Sequence, residues 1–388
     1  MRCLCLGAEK PCPPHAASLH LAVLTITMAT ETDIWTIRAA LDWTVGYLDR
    51  KGDENPRLSA EWLLAEACDM RRIDLYVNYD RPLSMDERDI LRGYVTRRGR
   101  GEPLQYITGE VGFRHITVRV RPGVLIPRPE TEILVSEVLA ALPEPTRPRA
   151  FDSTISAAQG DALLLVRNAA VAEGQREEEA AQLKGEPSKG EPSLAQSAEE
   201  PSPAQPEDEP SKATLLVADL CTGSGCIACS IAHEHPDAFV IATDIAPEAV
   251  SLARENAREV GVDERVRVVE CSLGEGVDPA VMGSFDAVVS NPPYVPARVL
   301  DGLPREVADF EPALALDGGN DGLDVFRPLA AWALSALKPG GFLAVELYEG
   351  HLEQAAEVAR GAGFADVGIV RDLAGRPRIL TARKPASA

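Results

Sequence analysis

The stretch from residue 214 to residue 244 limits what this chain can fold into more than any other. Leu215 to Leu220 is a short apolar run that ends in Cys221-Thr222-Gly223-Ser224-Gly225. A helix-forming stretch begins near Cys226, and a second apolar run, Phe239 to Thr243, ends in Asp244. Glycines at 223 and 225 let the backbone turn sharply from a strand into a helix. The alternation continues: strands are predicted near 214–220, 239–243, 266–270, 285–290, 342–347 and 378–383, and helices near 225–233, 247–259, 325–337 and 351–361. Such a pattern predicts an α/β fold with a doubly wound, mostly parallel sheet and ligands at the carboxyl ends of its strands.

A lone Gly-x-Gly is weak, but here it follows a strand and opens a helix, and Asp244 comes 21 residues after Gly223. A carboxylate at that place can accept hydrogen bonds from both ribose hydroxyls of a nucleoside cofactor. Nicotinamide dinucleotides and S-adenosylmethionine both satisfy this much. The dinucleotide fingerprint wants a third glycine, and position 228 is Ala. Asp219 is expected either near a cofactor amino group or in support of the loop, with a strand-end turn residue as the plain alternative.

The second chemical motif decides between the cofactors. Phe285 to Ser290 reads as a strand that runs into Asn291-Pro292-Pro293-Tyr294. An amide or exocyclic amine nitrogen has a delocalised lone pair and is a poor nucleophile. Accepting hydrogen bonds from both of its N–H bonds holds it in line with an electrophilic methyl, and the Asn291 side-chain oxygen and the Pro292 carbonyl can do so. The two prolines fix their own φ, and Pro293 holds Pro292 extended. Tyr294 offers a flat face for a planar group. Positioning of this kind can supply up to roughly 7–11 kcal/mol. The tetrapeptide has no role in hydride transfer and a direct one in methyl transfer to nitrogen.

The chain has 388 residues, room for two or three domains, and a net charge of −21, which argues against broad binding to nucleic acid. Cys226, Cys229, His233 and His235 invite a metal reading, but no second cysteine pair lies at zinc-ribbon spacing, so core cysteines and no metal are expected. The eight scattered cysteines suit a reducing compartment. No apolar run reaches the roughly 18 residues of a membrane span. Met28-Ala29-Thr30 reads as a natural beginning, with residues 1–30 as an unstructured N-terminal extension.

Residues 31–100 carry helical spacing, as in Ile34, Ile37, Leu41, Val45 and Leu48, and Ser84 with Glu87 forms a capping box. This segment is expected to be a helical substrate-binding domain. The basic run from Arg81 to Arg100 reads as a solvated helix face. Residues 101–126 alternate like a β-hairpin linker, including Tyr106 to Glu110. Pro129, Glu130 and Glu132 suit the opening of a helix from Ile133 to Leu142. Residues 127–388 are then the catalytic domain, interrupted by a low-complexity acidic insert over 144–212. There, 173–212 holds 11 acids and 4 bases and repeats Lys-Gly-Glu-Pro-Ser in tandem, a composition expected to be disordered. A short helix is expected over 161–172.

With these pieces in place, the chain resembles the release factor glutamine methyltransferases, the HemK-type protein N5-glutamine methyltransferases of bacteria. The matching stretches are 102–110, Pro127 to Glu132, Cys221 to Gly225, Ser290 to Tyr294, Glu311 to Leu316 with Asp321 to Leu323, Lys338 to Gly341 with Glu346, and Arg371 to Gly375. Asn-Pro-Pro-Tyr alone is shared with adenine methyltransferases. Pro127 to Glu132 and the helical N-domain make the match specific. The resemblance implies a Rossmann-like domain that uses S-adenosylmethionine to methylate the glutamine of the Gly-Gly-Gln loop in class 1 peptide chain release factors. By residue, it implies that Cys221, Thr222, Gly223, Ser224, Gly225 and Asp244 hold the cofactor. Asn291 would contact both cofactor and glutamine, and Pro292, Pro293 and Tyr294 would complete the glutamine pocket. Arg128, Glu130 and Glu132 would lie near the site. Ser272 and Leu273 stand where the family tends to carry an acid and an aromatic near the adenine, so Leu273 is the expected cofactor neighbour. The expected setting is a cytoplasmic monomer with no membrane or direct nucleic-acid partner. Glutamine methylation of a ribosomal protein, adenine N6 methylation and a cofactor-binding module without turnover are the alternatives.

Overall fold

The computed structural model describes residues 35–146 and 215–386. The N-terminal extension over 1–30, the predicted helix over 161–172 and all but the first residues of the acidic insert lie outside them. The chain divides into two compact units between Thr96 and Arg97.

The first unit is helical. Helices α1 (Ile37–Lys51), α2 (Pro56–Ala67), α3 (Arg72–Val77) and the greater part of α4 (Met85–Arg98) make it up. Ile37, Leu41 and Leu48 of α1, Leu63 and Leu64 of α2, Leu75 and Leu91 are buried together with the 3–4 spacing of one helix face. The capping box at α4 forms in both directions: the Glu87 N–H donates to Ser84 Oγ at 3.1 Å, and the Ser84 N–H donates to Glu87 Oε2 at 2.7 Å. The basic run differs from its expected solvated face. Arg88 is buried and lies over the Trp35 ring, while Arg81 pairs with Glu87 and Arg92 with Asp89.

The second unit opens with one helical turn, α5 (Leu104–Thr108), where alternation predicted a strand. Pro103 starts the turn and Gly109, at φ 82°, ends it. The hairpin follows as β1 (Glu110–Phe113) and β2 (Ile116–Arg119), then α6 (Thr131–Ala141). The elements after residue 214 are β3 (Leu215–Leu220), α7 (Cys226–Glu234), β4 (Ala238–Asp244), α8 (Pro247–Val260), β5 (Val266–Glu270) and β6 (Phe285–Ser290). Two one-turn helices, α9 (Ala297–Leu300) and α10 (Arg305–Ala308), precede α11 (Phe326–Ala336), β7 (Leu337–Glu346), α12 (Leu352–Ala362), β8 (Ala365–Arg371) and β9 (Pro377–Arg383).

The sheet has seven strands in the order β5-β4-β3-β6-β7-β9-β8. The first five in that order are parallel, and β9 runs antiparallel to both its neighbours. Alternate residues feed two cores, as a two-faced sheet requires. Val217, Val240, Ala287 and Val289 meet α6, α7 and α8 on one side. Ala218, Leu220, Val288 and Val345 meet α11 and α12 on the other. The chain walks outward from β3 to β5, then crosses back to β6, so a crevice opens between the ends of β3 and β6. Ser290 Oγ fixes that junction by donating to the Leu220 carbonyl at 2.7 Å.

The hairpin is tied to the crevice by one buried side chain. Asn256 of α8 accepts from the Arg119 N–H at 2.7 Å and donates to the Ser224 carbonyl at 2.8 Å. It thereby links β2 to the glycine loop. Arg119 pairs with Glu259 and Arg121 with Glu255 along the same helix, exposed contacts of small worth.

Candidate active site

A cavity of about 340 Å³ lies at the carboxyl ends of β3, β4 and β6. One end is lined by Cys221, Thr222, Gly223, Ser224, Asp244, Ile245, Ser272 and Leu273. The other is lined by Arg128, Thr131, Asn291, Pro293, Pro312 and Leu314. Of the residues expected to hold cofactor or glutamine, Gly225, Pro292 and Tyr294 do not line it.

At the first end two carboxylates order the site by accepting from backbone N–H groups. Asp219 is fully buried at the end of β3. Its Oδ2 accepts from Thr222 Oγ1 at 2.6 Å and from the Ala228 N–H at 3.1 Å. It therefore braces the turn and the start of α7, the supporting role among the alternatives considered. Burial pushes its carboxyl up to about 7, with Thr222 and the Ala228 amide opposing. Gly225 closes the turn at φ 80°, and a Cβ there would sit 3.0 Å from Ala253 Cβ. Its glycine permits the close approach of α7 to α8 rather than contact with a ligand.

Asp244 ends β4 with both carboxylate oxygens engaged by backbone: Oδ2 accepts from the Gly223 N–H and Oδ1 from the Ala246 N–H, each at 2.9 Å. Desolvation raises its carboxyl, against the N–H donors. A carboxylate so held is oriented before any ligand arrives. Around it, Ile245, Ala249 and Leu273 supply apolar walls. Cys221 at φ 59° and Leu273 at φ 47° both hold left-handed backbone, which costs a side chain on the order of 1–2 kcal/mol. Both lie at the cavity, where such strain is most often kept.

The second end is built from side chains. Asn291 Nδ2 donates to Thr131 Oγ1 at 3.2 Å, and Thr131 Oγ1 donates to Glu346 Oε2 at 2.8 Å. The other carboxylate oxygen, Oε1, accepts from the Tyr294 hydroxyl at 3.1 Å. Thr131 and Glu346 are each 2% exposed. Tyr294 thus lies behind the cavity wall, turned toward Glu346, where a stacking face had been expected. Nothing in the spacing of Pro127 to Glu132 singled out its threonine. The loop from Pro312 to Asp317 covers this end: the Val295 N–H donates to the Leu316 carbonyl at 2.8 Å and the Gly318 N–H to the Val295 carbonyl at 2.9 Å. A Cβ at Gly318 would meet Tyr294 Cα at 2.6 Å, so only glycine allows the loop this close. Arg128 Nη2 reaches both oxygens of buried Glu311 at 2.7 Å and pins the loop's start.

Glu130 and Glu132 sit beside the site. Glu132 Oε1 accepts from the Arg114 N–H at 3.1 Å, and Glu130 lies 3.6 Å from Arg376. Cys226 and Cys229 lie on the buried face of α7, and burial raises both thiols. His235 Nε2 is 2.8 Å from the Pro143 carbonyl. Among the described residues no helix is long and apolar enough to cross a membrane.

The donor set fits a nucleoside cofactor: a pre-oriented carboxylate, a glycine turn at a helix start and apolar walls on either side. Residues 39–109 match the PrmC N-terminal domain family, and residues 208–302 match the methyltransferase small domain family. A release factor glutamine methyltransferase from Geobacter sulfurreducens is 36% identical over 356 residues, spanning 92% of this chain and 99% of the relative. One from Moorella thermoacetica is 34% identical over 348 residues, spanning 89% and 98%. One from Rhodopirellula baltica is 32% identical over 353 residues, spanning 90% and 97%. With a crevice of this geometry and likeness along nearly its whole length, the chain belongs to the release factor glutamine methyltransferases, enzymes of Rossmann-like fold whose methyl donor is S-adenosylmethionine.

Proposed function

We propose that this chain methylates the side-chain amide nitrogen (N5) of the glutamine in the Gly-Gly-Gln loop of class 1 peptide chain release factors. The observation that carries the reading is the orientation of Asn291 at the cavity. Its Nδ2 is engaged by Thr131, which leaves Oδ1 as the end that accepts. S-adenosylmethionine, when bound, supplies an electrophilic methyl group. Asp244 would hold the ribose hydroxyls, and Ile245 and Leu273 would flank the adenine. The residues from Cys221 to Ser224 would line the rest of the cofactor's path.

The acceptor nitrogen would exchange one of its two protons for that methyl, the proton passing to solvent. Asn291 Oδ1, accepting from an N–H bond of that nitrogen, holds its lone pair toward the methyl and stabilises the positive charge that grows on the hydrogen; Pro292, expected as the second acceptor, does not line the cavity. Pro293 gives the wall a rigid shape. Tyr294 serves through Glu346 and not as a stacking face. The helical unit ahead of Arg97 would capture the release factor, which explains why a small-molecule methyltransferase would not need it. Net charge of −21 supports a protein substrate over nucleic acid, and a translation factor as substrate supports a cytoplasmic setting.

The test is transfer of labelled methyl from S-adenosylmethionine to a purified class 1 release factor and to the same factor with its Gly-Gly-Gln glutamine changed to alanine. Label on the first and none on the second is expected. Equal label on both, or none on either, defeats the reading.

A further inference from the structure

We infer that Thr131 and Glu346 decide which end of the Asn291 amide faces the acceptor, and so act as positioning residues for methyl transfer. The inference rests on the function proposed above.

Burial raises the Glu346 carboxyl, while the Thr131 and Tyr294 hydroxyls and the Arg378 charge favour its ionised form; as a carboxylate it accepts and does not donate, so the two hydroxyls that touch it both point their protons at it. Thr131 Oγ1 does so at 2.8 Å and the Tyr294 hydroxyl at 3.1 Å. A hydroxyl has one proton. With that proton spent on Glu346, Thr131 Oγ1 can only accept from its other neighbour, the Asn291 amide at 3.2 Å. The NH2 end therefore turns to Thr131 and the carbonyl oxygen turns away. A reversed amide would set two oxygen lone pairs against each other in a place where Thr131 and Glu346 are each 2% exposed. That arrangement loses a hydrogen bond with no water to replace it.

The pieces come from three elements: Thr131 begins α6, Glu346 ends β7 and Asn291 follows β6. Glu346 also ties Tyr294 to the same carboxylate, so both ends of the Asn291–Tyr294 tetrapeptide are referred to one buried group. A reversed Asn291 would present NH2 to the substrate's NH2, which removes an acceptor from the nitrogen that needs two.

Three variants separate positioning from packing. Thr131→Val keeps the shape and removes the hydroxyl; Thr131→Ser keeps the hydroxyl and removes a methyl; Glu346→Gln leaves one acceptor for two donors. Steady-state kinetics on a release factor, cofactor affinity by calorimetry and Tm are read for each. Thr131→Val is expected to lower kcat about 10²-fold, with cofactor affinity and the KM for release factor within about threefold of wild type. Thr131→Ser is expected to restore kcat to within about threefold, and Glu346→Gln to lower it about tenfold. Wild-type kcat in Thr131→Val or Glu346→Gln overturns the inference, as does a loss in Thr131→Ser equal to that in Thr131→Val. A second readout does not use turnover. NMR of ¹⁵N-asparagine-labelled full-length protein is expected to show one Asn291 side-chain N–H protected from exchange in wild type and freed in Thr131→Val; equal exchange in both overturns the inference. Wild-type protein that leaves the release factor unmethylated defeats the proposed function instead, while the amide signal still tests the orientation.

Discussion

The hydrogen-bonded frame of the cofactor end comes from one continuous run of chain, from Asp219 through the glycine turn to Asp244, and most of its hydrogen bonds are to backbone. The acceptor end joins Asn291 to Thr131 across 160 residues and Thr131 to Glu346 across 215, through side chains alone. The first is set by local geometry and holds a ligand that every member of a broad fold class can use. The second depends on tertiary packing and sets what the enzyme does with that ligand. Damage at the two ends should therefore separate: binding of cofactor at one, turnover at the other.

The largest separation is expected from Asn291→Ala. Turnover on a release factor should fall about 10²–10³-fold, the loss typical of one pre-oriented polar group at a reacting centre, with calorimetric cofactor affinity changed far less. Equal losses in both would erase the distinction between the ends. Asp219→Asn sharpens it from beneath the cofactor loop. The folded carboxyl sits near 7, above its ordinary value, because burial disfavours its charge. Its contribution to stability is therefore full below about pH 4 and is lost as pH rises through about 7. Chemical denaturation of the two proteins from pH 4 to pH 8 should show their difference moving in favour of asparagine, by on the order of 3 kcal/mol. A difference that stays level with pH would mean that Asp219 remains charged when folded.

Gly225→Ala adds left-handed strain and a contact with Ala253, and is expected to lower stability by about 2–3 kcal/mol, read as a shift in denaturation midpoint. The smallest effect is that of Asp244→Ala. It should weaken cofactor binding by about 1.5–3 kcal/mol, with kcat kept at saturating cofactor. A kcat that falls with affinity would place Asp244 in the chemistry of both ends.

The same contrast explains what could be read from the chain. The glycine turn, Asp244 and the parallel strands follow from local spacing, because a buried strand, a positive-φ turn and a strand-end acid each leave a mark within a few residues. Tyr294 was legible as part of the acceptor site but not in its position, since a stacking face and a hydroxyl turned inward look alike in one dimension. Thr131 was not legible at all: a threonine after Glu130 reads as an ordinary first-turn residue until β6 and β7 bring Asn291 and Glu346 to it. The edge strand β8 was missed because Ala365 to Arg371 is half exposed and interrupted by Gly368. Helix α5 reads as a strand in the sequence because one turn is too short to display a helical period.

The account's central claim is that the cavity presents Asn291 Oδ1 to a glutamine amide of a release factor. Tandem mass spectrometry of a class 1 release factor, incubated with S-adenosylmethionine and either wild-type enzyme or Asn291→Ala, tests it most directly. One methyl on the side-chain nitrogen of the Gly-Gly-Gln glutamine with wild type, and none with the variant over the same interval, is the predicted result. A methyl elsewhere on the factor, or the same methyl at the same rate with Asn291→Ala, would contradict it.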